Sequence, residues 1–578
     1  MQLNDEQKAM LDGERGRAKQ MGMRLVLDMA AAADADELIP IQSAHISGVS
    51  PLTGGLGLRQ FLARLTEDES AEVAVPTTLN AAGCDPEQFD EMRIVAPNFL
   101  EHNNEIVESY SALGIRPTQS CIPYEWDGVT TEGVAAWAES NAICFGNSYC
   151  DMLTNRESGL SALACALTGY TPKYGLLVEG ANRPNLRVEV EADLTDPTDF
   201  SILGDWIGTQ RTSSWRMPLG PIPHIRGLPE QMTHEQRKAL TAAAANYGVP
   251  QLFINELADE ETAYQYTLTF SAETLTTRYD DLKPTASPDL IVLGCPQASM
   301  GELRAIADLL KGKTVLPTLE HFDTPMLWVF TSSQNKEIAE SVGLAKVITD
   351  AGALLLANTC PEVVPYDRRW VKNILTNSMK AEHYIKSGLN GIPTAVMPLA
   401  ECVAVATGER KIEGSGVAGL RSGGGKKRRE VKRIEVESAD KTNYEGKGLP
   451  SQTDFVVRGE AFVTDAPITL LGYVNRSSGE VEEEGHPRNG ESMAGKIAIF
   501  PKGSGSSVAP YVLLELYYED NAPLAIVNTE IDQQSAPACS LESIPYAYGF
   551  DDAIVRDIPH GAQVELRREG DVVSLRVV

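Results

Sequence analysis

The stretch that most constrains the fold is "GERKIEGSGVAGLRSGGGKKRREVKR", residues 408–433. It is glycine-rich, then basic, and nearly empty of large apolar side chains. Its triple glycine at 423–425 would lose too much backbone entropy inside a packed element. Such a segment joins bodies rather than belonging to one. It divides the chain into a large region, 1–407, the linker itself, and a C-terminal module, 434–578. A chain of 578 residues also exceeds what a single core holds.

The two long parts differ in pattern. "LIVLGC" is a continuous apolar run suited to a buried parallel strand. "SMGE" follows, in which Ser299 and Glu302 form a capping-box signature, and then the helical "LRAIADLLK". "MLWVFTSS", a helix through "KEIAESVG" and "ALLLANTC" complete a βαβαβ pattern, which predicts an α/β layer. Beyond the linker, strand-like pieces dominate: "FVVRGEAFV", "PITLLGYVN", "KIAIFP", "PLAIVN" and "AQVELRREGDVVSLRVV", with one helical candidate, "VAPYVLLELYYED". This predicts a small β-rich module. No solenoid-type repeat is present.

A net charge of −30 argues against nucleic acid or an anionic membrane as partner, and the single basic run "KKRREVKR" is too short to reverse it. No apolar stretch approaches the roughly 20 residues of a membrane span. The N-terminus is charged, lacks a signal-peptide core, and carries Asn4 and Gln7 at capping-box spacing. Nine scattered cysteines, an odd number, place the protein in a reducing cytoplasm.

Two cysteines, Cys295 in "LGCPQAS" and Cys360 in "LANTCPE", sit at the C-terminal ends of predicted parallel strands, the edge where open α/β sheets bind ligands. Each is followed by a proline, Pro296 or Pro361, expected to stop its strand. Cys121 in "TQSCIPYEW" has a similar setting. Three converging thiolates would hold a metal or an iron–sulfur cluster; three buried core cysteines are the plainer alternative, and no CxxC pattern decides between them. His45 lies among small polar residues in "IQSAHISGVS", beside Ser47. "VPTTLNAAG" and "ESNAICFGNSYCDMLTNRESG" are dense in hydroxyls and amides, and Arg156 beside Glu157 is either a carboxylate clamp or a structural pair. Lys380 and Tyr384 in "TNSMKAEHY" share a possible helix.

The loop "IFPKGSGSSVAP" joins a strand to a helix and fits neither GxGxxG nor the P-loop pattern. A serine there is favoured by backbone donors, as a base or as a cap, and both stay open on the residues alone.

Together, "ADADELIPIQSAHISGVS", "VPTTLNAAGCD", "CIPYEWDG", "WAESNAICFGNS", "TNRESG", "VLGCPQAS", "NTCP" and "TNSMKAEHY" resemble, in order, the large part of the aconitase X family. "FVVRGEAFV…GESMAGKIAIFPKGSGSS" resembles that family's swivel domain, fused here. The resemblance implies an α/β fold: an aconitase-like large part of several α/β layers plus a C-terminal β-rich swivelling domain. It implies Cys121, Cys295 and Cys360 as cluster ligands, for [2Fe–2S] in preference to [4Fe–4S], with mononuclear iron if assembly is partial. Ser506 matches the catalytic base, with Ser507 its unexcluded neighbour and His45 a further catalytic candidate. Ser47, Thr77, Thr78, Asn80, Glu139, Asn141, Asn155, Arg156, Lys380 and Tyr384 fall in matching motifs and are expected to line the substrate pocket.

One departure from the family is Ser504, where many relatives carry arginine. Together with the fused architecture it favours dehydration of cis-3-hydroxy-L-proline over that of mevalonate 5-phosphate. The expected partner is thus a small hydroxy amino acid, with no nucleic acid and no membrane; the oligomeric state is open, with a monomer compatible with the sequence. A non-catalytic iron-sensing relative and a zinc enzyme on the same thiols are the competing readings.

Overall fold

The computed structural model describes residues 1–68, 70–210, 217, 219–255, 264–319, 321, 323–387, 389–412, 443–504, 506, 508–532 and 534–578. Most of the linker therefore lies outside the described residues, as does Ser507.

The large region contains three parallel sheets. The first takes its strands Ser43–Ile46, Thr77–Leu79, Glu132–Trp137 and Asp151–Arg156 in the spatial order second, first, third, fourth. The second is built from Leu186–Val190, Pro223–Arg226, Phe253–Ile254 and Tyr266–Phe270. The third takes Leu290–Ala298, Leu327–Thr331, Leu354–Leu356, Ile374–Thr376 and Thr394–Val396 in the order third, second, first, fourth, fifth. In the first sheet the order reverses beside Ser43–Ile46, in the third beside Leu290–Ala298. At such a reversal the chain leaves neighbouring strands in opposite directions and a crevice opens at their carboxyl ends.

Local signals in the sequence appear as elements. Asn4 and Gln7 form a capping box on helix Asp5–Leu11, and Ser299 and Glu302 form one on helix Met300–Leu310. An additional helix, Leu344–Asp350, precedes the strand Leu354–Leu356. The expectation that proline ends each cysteine-bearing strand is corrected. The strand holding Cys295 runs on through Pro296 to Ala298, and its pairing slips between Leu293 and Ala298 instead. Cys360 stands in the loop beyond Leu354–Leu356.

In the C-terminal module seven strands close a barrel: Asn443–Gly448, Val456–Val463, Ile497–Phe500, Ala525–Asn528, Tyr546–Tyr548, Gln563–Glu569 and Val572–Val577. "PITLLGYVN" is corrected: only Ile468–Thr469 is strand, and Leu470–Tyr473 is a kinked helical turn with Gly472 in the left-handed region. The single helix expected there, Pro510–Tyr518, is joined by Ala536–Glu542 and Ala553–Asp557.

Helix Pro510–Tyr518 lies on helix Pro51–Thr66 of the large region. They meet closely because the sequence "GGLGL" offers no side chain at the contact: a Cβ on Gly57 would stand 2.5 Å from the Glu515 nitrogen and the Tyr511 carbonyl oxygen. One apolar core, holding Ile46, Leu58 and Leu62 together with Phe462, Tyr511 and Leu513, runs across this contact. The barrel domain is thereby seated on the carboxyl-end crevice of the first sheet. Among the described residues no helix is long and apolar enough to cross a membrane.

Candidate active site

A cavity of about 60 Å³ lies where the first sheet, the third sheet and the barrel domain meet. Its wall includes Ser47, Asn80, Glu139 and Arg156 from the first sheet's carboxyl ends, Cys360 and Tyr384 from the third, and Ser506 from the barrel domain. Ser506 sits one turn ahead of helix Pro510–Tyr518, its carbonyl accepting from the Ala509 N–H at 3.1 Å. Two lining atoms, the Ser47 hydroxyl and the Asn80 Oδ1, are buried without a hydrogen-bond partner among the described residues, as expected of groups that await a polar ligand. Arg156 also reaches this wall, and among the described residues it has no ion-pair partner.

Behind the wall, Lys380 organises the charge. It is buried on helix Met379–Lys386, and its Nζ donates to Glu139 Oε1 at 2.6 Å and to Asn141 Oδ1, and lies 3.3 Å from Glu362 Oε1. Burial opposes the ammonium, but Glu139 and Glu362 outweigh it and hold Lys380 well above its ordinary range. Burial would also raise Glu139, yet the Lys380 charge, with His45 and the Asn80 amide, keeps it below the usual carboxylate value. Glu362 goes the other way: burial and the nearby Glu139 raise it against the pull of Lys380. One lysine thus serves two carboxylates unequally.

All three cysteines singled out in the sequence are buried. Burial pushes Cys121 up to about 12, and Cys295 and Cys360 well above the normal thiol value. Cys360 is raised further by Glu362 and by Cys121, and Cys295 by Glu362 and then by Cys360, so the three share one electrostatic environment. The Gln297 N–H donates to Cys121 Sγ at 3.3 Å, and Cys295 Sγ donates to Glu362 Oε1 at 3.0 Å. Among the described residues no group of three His, Cys, Asp or Glu side chains is set to hold a single metal ion. The other six cysteines, Cys84 included, pack into apolar clusters, with Cys150 half-buried.

Other residues singled out from the sequence stand off the cavity. His45 is fully buried, shares a 2.8 Å hydrogen bond between its Nδ1 and Thr78 Oγ1, and is pushed down to about 4 by burial, so it is neutral at pH 7. Thr77 donates to Val75 O, and Asn141 to Cys121 O at 2.7 Å, which ties the Lys380 network to a cysteine loop. Asn155 is held by Tyr174 O and the Leu176 N–H. The Ser504 hydroxyl pairs with Thr469 at 2.6 Å and does not line the cavity. Glu157 turns away from Arg156 to accept from Ser161 at 2.7 Å, and burial lifts it to about 7. Arg156 itself opens onto a second, larger cavity of about 690 Å³, shared with Glu157, Lys502 and Asp532.

Sequence reasoning passed over Glu362, Gln297 and Lys238. Glu362 lies two residues beyond Cys360, the one local signal that could have drawn attention to it.

The comparisons with known proteins agree with this geometry. Models of the aconitase X first domain, third domain and swivel domain match residues 1–180, 288–408 and 451–575. The large subunit of phosphomevalonate dehydratase from Methanosarcina mazei is 34% identical over 71% of this chain and 99% of its own length. Cis-3-hydroxy-L-proline dehydratase from Pseudomonas aeruginosa is 33% identical over 70% of this chain and 70% of its own. A small subunit of phosphomevalonate dehydratase, from Methanosarcina acetivorans, is 34% identical over 20% of this chain and 75% of that protein. The holo-form crystal structure of Thermococcus kodakaraensis aconitase X superposes with a TM-score of 0.62 at 30% identity, covering 70% of this chain and all of that one. With three domain models in register along one polypeptide, and a cavity built where those domains meet, the chain belongs to the aconitase X family.

Proposed function

We propose that the chain is a hydro-lyase that dehydrates cis-3-hydroxy-L-proline to Δ1-pyrroline-2-carboxylate. The observation that carries this is the composition of the small cavity: among the described residues, a guanidinium without an ion-pair partner, a serine from the barrel domain and a thiol of the cysteine set share its wall. Arg156 matches a single carboxylate in a bidentate fork. Ser504, where an arginine would add a second cation, is tied to Thr469 outside the cavity. A small substrate with one acid group suits both facts.

Ser506 removes the C2 proton. In the cis isomer the C3 hydroxyl is anti to the C2–H, so base and leaving group belong on opposite walls of a cleft. Ser506 comes from the barrel domain and Cys360 from the third sheet. The C2–H and C3–O bonds break, a C2–C3 double bond forms, water leaves, and the enamine tautomerises to the imine. Seating the barrel domain over the crevice excludes bulk water from the cavity.

The donor set fits an iron–sulfur cluster held by Cys121, Cys295 and Cys360: three soft ligands, one of them already accepting a backbone N–H on its sulfur. A bound cluster supplies a Lewis acid for the departing hydroxyl. Burial keeps the three thiols protonated, so each would have to give up its proton to serve as a ligand.

The larger cavity beside Arg156, with Lys502 on its rim, favours a second reading, in which the substrate is mevalonate 5-phosphate and the phosphate occupies that space. Anaerobic turnover of both compounds, with iron and sulfide quantified on the same sample, separates the two. Product from hydroxyproline alone is expected, and product from phosphomevalonate alone would overturn the first reading. Ser506→Ala is expected to lower kcat by roughly 10²–10⁴ with iron content unchanged; parallel loss of iron would remove the serine from its role as base.

A further inference from the structure

Cys121 lies on a loop of the first domain, Cys360 on a loop of the third and Cys295 on a strand of the third, so something must fix two loops and a strand from two bodies at one mutual distance. The bonds of Gln297 meet that need. It is fully buried, two residues beyond Cys295 on the strand whose pairing slips between Leu293 and Ala298. That slip releases the Gln297 N–H from the ladder, and it donates to Cys121 Sγ at 3.3 Å. The side-chain Nε2 donates twice, to Gln119 O at 3.2 Å, just before Cys121, and to Thr359 O at 2.9 Å, just before Cys360. The Gln297 carbonyl in turn accepts from the buried Lys238 Nζ at 2.8 Å, and Lys238 is anchored by Glu302.

The orientation of the amide is dictated by its neighbours. Both are carbonyl oxygens, so only the NH₂ end can face them, and Oε1 is left buried without a partner among the described residues. An unpaired buried acceptor is costly, and here it accompanies two donor bonds that cross-link two cysteine loops to the strand carrying the third.

We propose that Gln297 is the positioning residue that gathers Cys121, Cys295 and Cys360 into one site. This rests on the reading of those thiols as cluster ligands, and it concerns the chain's own geometry, which a second probe reports without iron. Arsenite bridges three converging thiols: three As–OH and three S–H bonds exchange for three As–S bonds, three waters leave, and no electron is transferred.

The experiment compares the wild-type chain with Gln297→Met, which has the same length and no donor, and with Gln297→Glu, which keeps the shape but turns acceptor oxygens toward the two carbonyls. Each apo protein is titrated with arsenite, followed by As–S absorption, and separately reconstituted anaerobically with iron and sulfide. Near-UV circular dichroism identifies which variants keep the native packing; if Gln297→Met does not, Gln297→Glu carries the test. The expected result is arsenite affinity and cluster retention lower by about 10- to 100-fold in a natively packed variant, the range in which ligand-orienting partners act. Wild-type affinity for arsenite in such a variant overturns the proposal, as does absence of tight arsenite binding to the wild type itself. Tight wild-type arsenite binding that Gln297→Met abolishes, with no iron taken up by either, supports the role of Gln297 and overturns the cluster reading alone.

Discussion

Burial tunes two first-sheet residues in opposite directions. His45 falls from 6.5 to about 4 because it is fully buried, so its neutral form stabilises the fold above about pH 6.5. That contribution is lost as the pH falls through about 4. Glu157 rises from 4.5 to about 7, so its neutral form contributes stability below about pH 4.5 that is lost as the pH rises through about 7. Each shift corresponds to about 3 kcal/mol across nearly the same window, and in the wild type they offset. Urea midpoints of Glu157→Gln, which keeps an acceptor for Ser161, are expected to fall more steeply than wild type between pH 6.5 and 4. Parallel profiles would show that Glu157 does not counterbalance His45. Arg156 makes a different prediction. Arg156→Lys keeps the charge but loses the fork, and is expected to raise KM about tenfold, with Arg156→Gln costing about 100-fold in kcat/KM. Steady-state kinetics over substrate concentrations spanning KM check both, and an unchanged KM would remove Arg156 from carboxylate binding.

At the scale of elements, two features control the site. One is the slipped strand Leu290–Ala298. Its apolar run was readable as a buried strand, but Pro296 was expected to end it, because proline cannot donate to a ladder. The chain keeps its extended course past Pro296 and loses pairing instead, which frees Gln297 to serve the cysteine loops. The other is the contact of helix Pro510–Tyr518 with helix Pro51–Thr66. Tyr511 is inserted there, its hydroxyl 3.3 Å from both the Ser47 carbonyl and the Tyr110 hydroxyl, with Gly48, Gly57 and Gly159 making room. Gly57→Ala introduces a methyl against backbone atoms that cannot yield and is expected to cost about 1–3 kcal/mol. Because this helix follows Ser506, activity should fall with stability. A thermal midpoint and kcat both equal to wild type would mean that the two helices do not need this close approach.

At the scale of the whole molecule, the barrel domain and the large region share one core and a polar fringe. Asp28 accepts from the Ser451 N–H at 2.7 Å and from the Ser451 and Ser540 hydroxyls, and Arg476 donates to the carbonyls of Leu52 and Thr53. Arg476 also pairs with Glu515 at 2.9 Å, next to the helix contact. Such a continuous apolar interface resembles a permanent subunit contact more than a loose domain boundary. In relatives named as large and small subunits the corresponding parts are separate proteins. Residues 1–412 and 443–578, co-expressed as two chains, are therefore expected to co-purify and to regain most of the activity of the intact protein. Two folded pieces that elute apart would show that the covalent link holds the site together.

The sequence by itself determined what depends on near neighbours. Capping boxes at Asn4 and Ser299, strand runs of the third sheet and the β-rich C-terminal module rest on residues a few positions apart, where propensity and periodicity act, and the motifs around Cys121, Cys295, Cys360 and Ser506 carry the resemblance to the family. The tertiary structure alone decided which of these groups face one another. Lys380 meets Glu139 across 241 positions of chain, and Gln297 reaches Gln119 across 178. His45, so prominent among small polar residues, was turned inward against Thr78, whereas Glu362, unremarked in the sequence, came to share Lys380. The reason is physical: such pairings are set by which strand carboxyl ends the sheet order brings together and by what burial does to each charge, and neither is written in a residue's immediate surroundings.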